Sequence, residues 1–98
     1  MIMRIFQVTT HPGKEAAFSK FFHETAIPLM TSTDGCIEVL PGAPHEGHPR
    51  EFAFVMVWRD LDALKAFVGA DYDSAHIAPE EAELVAERRI AHYTLVRD

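Results

Sequence analysis

The sequence predicts an α+β fold, a four-stranded antiparallel sheet with helices on one face, and three observations lead to it. Short runs rich in β-branched and long apolar residues, the last of them alternating with period two, are separated by segments whose apolar residues recur every three or four positions, in the order strand, helix, strand, strand, helix, short helix, strand. That order is the ferredoxin-like arrangement. The third strand is apolar on both faces, whereas two helices can cover only one. At 98 residues, 48% hydrophobic and 24% charged, the chain is sized for one domain over residues 1–98 with one core.

Met3 to Thr10 is rich in β-branched and long apolar residues, and Pro12-Gly13 stops the run, which marks the first strand. From Lys14, the positions Phe18, Phe21, Phe22, Thr25 and Leu29 fall at helical spacing. Lys14, Glu15, Lys20 and Glu24 take the other face, so an amphipathic helix runs to about Pro28–Ser32. Asp34-Gly35 turns the chain into a short second strand, Cys36–Leu40, and the Pro- and Gly-rich stretch 41–49 reads as a loop. The third strand, Glu51 to Arg59, carries Phe52, Phe54, Met56 and Trp58 on one face and Ala53, Val55 and Val57 on the other. Asp60 is the expected N-cap of a helix through Leu61, Leu64, Phe67 and Val68, which Gly69 ends. Residues 70–78 connect to Pro79, whose position ahead of Glu80 and Glu81 starts a short helix expected to reach about Glu87. Arg89 to Arg97 alternates again and is the fourth strand.

Composition narrows the function classes. Nine Lys and Arg against fifteen Asp and Glu give a net charge of −6, with no cationic cluster to follow a row of phosphates, so nucleic acid is not an expected partner. The longest uncharged apolar run, Phe52 to Trp58, is far short of the roughly 20 residues a membrane helix needs. No apolar leader follows the first residues, and the expected location is the cytoplasm. A single cysteine, Cys36, has no internal disulfide partner, so burial alone must stabilise the fold. A domain this small hides only about 60 to 65% of its unfolded-chain surface. The doubly apolar third strand therefore predicts a homodimer, two sheets packed face to face at about 10 Å.

The segment Val57-Trp58-Arg59-Asp60-Leu61-Asp62-Ala63-Leu64-Lys65-Ala66-Phe67 resembles the strand-to-helix signature of the antibiotic biosynthesis monooxygenase superfamily. Gly69-Ala70-Asp71, Ala75-His76, Pro79-Glu80-Glu81 and His92-Tyr93 continue the likeness across nearly the whole chain. The resemblance implies a dimeric α+β barrel. It also implies either oxygenation of phenols or quinols by dioxygen without metal or flavin, or the binding and degradation of haem. Members that oxidise polyketide phenols use a Trp at the end of the third strand, matched by Trp58, together with an Asn and a Tyr whose aligned positions here are Phe54 and Leu64. Haem-degrading members use an Asn, a Trp and an iron-ligating His, where this chain has Gln7, Phe67 and His76. Of those three, only the histidine is kept.

Metal-free oxygenation requires a substrate that ionises and passes an electron to triplet dioxygen, so the protein must supply a base, a dry pocket and donors for the anion. His76, an imidazole just before the Pro79 helix start, is the candidate base; its other role would be a loop hydrogen bond. Trp58, Phe54 and Phe67 are candidate pocket walls as well as core residues. Gln7, on the Met3, Ile5, Gln7, Thr9 face, needs a partner, either ligand or backbone. Tyr72 is a candidate phenol donor to a substrate oxygen, and His92 alternates with Tyr93, so that one of the two faces the helices. His45-Glu46-Gly47-His48 lacks the third ligand and the helix that make H-E-x-x-H a metal site, and no phosphate loop or cofactor fingerprint is found. The expected ligand is a small apolar or aromatic molecule, with no cofactor. The alternative is a non-catalytic or haem-binding dimer that only holds a ligand.

Overall fold

A computed structural model describes residues 1–73 and 79–96, apart from the side chain of Glu80. Four strands, β1 (Ile2–Thr10), β2 (Cys36–Gly42), β3 (Glu51–Trp58) and β4 (Val85–Thr94), form one antiparallel sheet in the order β2-β3-β1-β4. This is the ferredoxin-like α+β arrangement expected from the element order. The helices are α1 (Glu15–Phe21), α2 (Ile27–Ser32), α3 (Leu61–Val68) and α4 (Pro79–Ala82).

The register decides which side chains meet the helices. Met56, Arg4 and His92 lie opposite one another across β3, β1 and β4, and so do Phe54, Phe6 and Ile90. Directly opposed residues share a face. Phe52, Phe54, Met56 and Trp58 are buried beneath the helices with Phe18, Phe22, Met30 and Leu64. Phe22 packs its ring 4.7 Å from Phe54 and 5.2 Å from Phe52, so the first helical segment is fixed to β3 by aromatic contacts. The other face carries Ile5, Gln7, Leu40, Val55, Ala91 and Tyr93, with no helix among the described residues over it.

The expected first helix is two helices joined by a π-helical turn, Phe22–Ala26, in which the N–H of Ile27 reaches back to the carbonyl of Phe22. Proline 28, at the start of α2, explains the turn. It has no N–H to give the carbonyl four residues back, and its ring crowds that carbonyl, so the helix widens by one residue ahead of it.

The last helix and strand depart from expectation. The helix expected to reach about Glu87 stops at Ala82, and β4 starts at Val85 rather than Arg89. Pairing outcompetes the helix here: Thr10 lies opposite Val85 and Thr9 opposite Glu87, with a register shift between them, and the N–H of His11 bonds the Leu84 carbonyl at 2.9 Å. Val85, the first residue of β4, is buried in that pairing. The loop expected over 41–49 also begins two residues later, because Pro41 and Gly42 continue β2 opposite Phe54 and Ala53. Asp60 caps α3 as expected, its carboxylate accepting from the N–H of Ala63 at 2.8 Å. No helix among the described residues is long and apolar enough to cross a membrane.

Candidate functional site

Between the sheet and the helices lies a cavity of about 520 Å³. Its walls are mainly phenyl rings. Phe6 lines it from β1, Phe18, Phe21 and Phe22 from the first helical run, Phe52 and Phe54 from β3, and Phe67 from α3. The π-helical turn contributes Thr25 and Ala26, which the wider turn sets on the cavity wall, and α2 adds Leu29 and Met30. Leu29 is half exposed, which places it on the cavity wall instead of in the core interior. Two charged side chains also line the cavity, Arg4 from β1 and Glu81 from α4, and both are buried.

Arg4 is held by a defined set of partners. Its Nη1 donates to the carbonyl of Tyr72 at 3.0 Å and lies 2.8 Å from Nε2 of His92. A guanidinium can only donate, so Nε2 of His92 is the acceptor and the ring proton sits on Nδ1, which lies 3.1 Å from the Asp73 carboxylate. The chain Asp73, His92, Arg4 therefore runs from an exposed carboxylate to the cavity wall. The Tyr72 ring stands edge-on to His92 at 5.1 Å, beneath the Lys65 ammonium at 5.7 Å. Burial pulls the Arg4 pKa down to about 10, against the opposing pull of Asp73, so it stays cationic at neutral pH. Burial, and then the Arg4 charge, lower the His92 pKa despite Asp73, which keeps the imidazole neutral and able to accept.

Phe54 and Phe67 are both on the cavity wall. Trp58 is wholly buried and does not line the cavity; its ring lies 5.5 Å from Phe67 and backs that wall. Its indole N–H has no acceptor among the described residues. Tyr72 acts through its backbone carbonyl, and its ring packs on His92, which faces the helices while Tyr93 faces away. Gln7 is on the helix-free face with Ile5, Arg89, Ala91 and Tyr93, the thickness of the sheet away from the cavity. His76 lies outside the described residues. His48 pairs with Glu51 at 3.3 Å, and no group of three or more potential metal ligands is found among the described residues.

Arg4 and Glu81 were not read as site residues from the sequence. A signal for Arg4 was present: it alternates with Phe6 and Val8, so a cation shares a face with large apolar groups and must be paired. Glu81 carried no comparable signal, since Pro79-Glu80-Glu81 already reads as an ordinary helix start.

Comparison with solved structures places this architecture among known proteins. The chain superposes on a candidate antibiotic biosynthesis monooxygenase of Deinococcus radiodurans with a TM-score of 0.78 at 16% identity, over 100% of this chain and 95% of that one. A Nitrosomonas europaea protein of unknown function gives 0.78 at 19% identity, covering 99% and 90%, and a Shewanella oneidensis protein gives 0.77 at 22%, covering 94% and 87%. At these identities the likeness is one of fold. None of the curated proteins matches the chain. The family model for antibiotic biosynthesis monooxygenase matches residues 1–79, which include β1 to β3, the helices over them and Arg4, and by that match the chain belongs to the antibiotic biosynthesis monooxygenase family.

Proposed function

We propose that this protein is a cofactor-independent monooxygenase that uses dioxygen to oxidise a small aromatic or quinol-like substrate held in the cavity between the sheet and the helices. The observation that carries the reading is the cavity itself, about 520 Å³ walled by seven phenyl rings and bordered by a buried cation. Flat apolar molecules fit such walls by ring contacts, and the family of the chain supports a monooxygenase-like role.

For a phenol with an activated methylene, the balanced reaction is CH2 plus O2 to C=O plus H2O. A base removes a proton, and the resulting anion passes one electron to dioxygen. The substrate radical and superoxide then couple to a peroxide, which loses water across its O–O bond to give the carbonyl. All four electrons that reduce dioxygen come from the substrate, so the protein has to deprotonate, bind the anion and keep water out. His76 is assigned as the base, Phe54 and Phe67 as walls, and Trp58 as the support behind Phe67.

The helix-free sheet face is assigned to a second copy of the chain. Leu40 and Tyr93 are more than half exposed there, beside Ile5 and Val55, and burying each large apolar side chain contributes roughly 1.5 to 3 kcal/mol.

Oxygen uptake with a panel of anthrones, naphthoquinols and catechols tests the enzymatic reading. Uptake is expected with at least one class, rising with substrate ionisation, and His76→Ala should lower the rate by roughly 10²- to 10⁴-fold. No uptake with any class, or a haem Soret shift abolished by His76→Ala, would overturn it.

A further inference from the structure

We propose that Arg4 receives the ionised oxygen of the bound molecule and that His92 is the positioning residue holding the guanidinium at the cavity wall. This rests on reading the cavity as a ligand site, and it narrows the ligand to an apolar aromatic body with one acidic hydroxyl.

Arg4 is only 5% exposed, yet it lines a cavity otherwise built largely from phenyl rings. A buried cation in such surroundings is costly unless an anion or a full set of acceptors compensates it. Among the described residues its hydrogen-bond acceptors are the Tyr72 carbonyl and His92 Nε2, both neutral and both meeting Nη1. A guanidinium has five N–H donors in a planar fork, so Nε and Nη2 carry three more. Among the described residues Asp73 touches the arrangement at His92 Nδ1, and its side chain is 76% exposed, so its pull on Arg4 is weakened by solvent and is outweighed by burial. Glu81 is the other charged group on the wall. A phenol or enol entering this space would gain by ionising beside Arg4, because a nearby opposite charge favours the charged form. The anion so formed is the species that can reduce dioxygen.

The role of His92 follows from its lone pair. Nε2 accepts from Arg4 only while the ring is neutral; a second proton would set a cation 2.8 Å from Nη1 and break the contact. The charged and titratable groups that face His92 are Arg4 from β1, Asp73 and Tyr72 from the segment after α3, and, across the Tyr72 ring, Lys65 from α3. Burial and Arg4 oppose protonation and Asp73 favours it, with the balance toward the neutral ring.

The test uses 4-nitrophenol, whose phenolate is followed by its visible absorbance, and nitrobenzene as the same body without the hydroxyl. Bound to the wild-type protein, 4-nitrophenol should titrate at least one pH unit below the free compound, a tenfold or greater preference for the phenolate. Arg4→Gln should abolish the displacement while nitrobenzene affinity stays within about twofold, and Arg4→Lys should restore part of it. His92→Phe should weaken phenolate binding at neutral pH. His92→Gln, whose carbonyl replaces the acceptor, should retain binding and lose the part of the acid decline that exceeds protonation of the phenolate itself. Binding of both probes by the wild type with no displacement would overturn the role of Arg4 and leave the cavity reading standing, whatever the stability of the variants. Binding of neither probe would overturn both. Equal acid limbs in wild type and His92→Gln would remove His92 from its role.

Discussion

Replacing Gly35 with alanine tests how tightly the turn before β2 is locked against the start of α3. Gly35 has φ +86°, and a Cβ built there would sit 2.6 Å from the Cβ of Ala63 and 3.7 Å from its Cα. Both atoms are fixed to the backbone, so no rotamer change relieves the contact. Backbone strain contributes about 1–2 kcal/mol and overpacking about 1–3 kcal/mol more, for a total of about 2–5 kcal/mol. Gly13 and Gly47 separate the two effects, because they have φ +84° and +93° but nothing within 4 Å of a new Cβ. Alanine at either should cost only about 1–2 kcal/mol. Urea unfolding followed by Trp58 fluorescence at fixed protein concentration measures all three, provided the slopes agree. In a double-mutant cycle, Ala63→Gly should recover about 1–3 kcal/mol of the Gly35→Ala loss, after correction for glycine in a helix. A Gly35→Ala cost no larger than that of Gly13→Ala, or zero coupling to Ala63, would refute the packing argument.

Three further outcomes are expected. Val55→Glu, which puts a charge in the middle of the helix-free face, should convert the proposed dimer to monomer or unfold it, as read by light scattering at micromolar concentration; a wild-type monomer would end the dimer proposal. Asp60→Ala removes the side-chain acceptor of the Ala63 N–H and should cost about 1 kcal/mol in the same urea assay, with Asp60→Asn close to wild type. Because the folded pKa of His92 lies below its unfolded value of about 6.5, the unfolded chain binds that proton first. Its contribution should therefore make stability fall as pH drops below about 6.5, and His92→Gln should flatten that part of a urea-midpoint profile between pH 7.5 and 5.

The sheet was legible because its strands are short runs rich in β-branched and long apolar residues and because Pro12-Gly13, Asp34-Gly35 and Asp60 punctuate them with turn and cap chemistry. Which face of β1 meets the helices was not legible. Met3, Ile5, Gln7 and Thr9 are as plausible a buried set as Arg4, Phe6, Val8 and Thr10 in a strand that is apolar on both sides, and period two alone cannot choose. The register chooses, by setting Arg4 opposite Met56 and His92, and it also puts Gln7 on the far face opposite Ala53 and Arg89. The end of α4 was lost for a related reason. Glu80 to Glu87 has good helix formers, but local propensity is worth tenths of a kcal/mol per residue, and the pairing of β4 with β1 outweighs it.

The same two-sidedness connects the fold to the proposed chemistry. A sheet that is apolar on one face needs only its helices, and the core would close completely beneath them. Here the helices cover one face and leave a cavity beneath them, with Thr25 and Ala26 of the π-helical turn on its wall. The other face, with Leu40 and Tyr93 exposed beside Val55, is the one assigned above to the proposed second copy of the chain. Losing the proposed second copy should then reach the cavity through the strands that carry both faces. Val55 on the far side alternates with Phe54 and Met56 on the cavity wall. Val55→Glu should accordingly weaken nitrobenzene binding even where it leaves a folded monomer, whereas Leu40→Ser, on β2 and away from the cavity-lining strands, should weaken association with a smaller effect on binding. Unchanged nitrobenzene affinity in a folded Val55→Glu monomer would show that the cavity holds its shape without a partner.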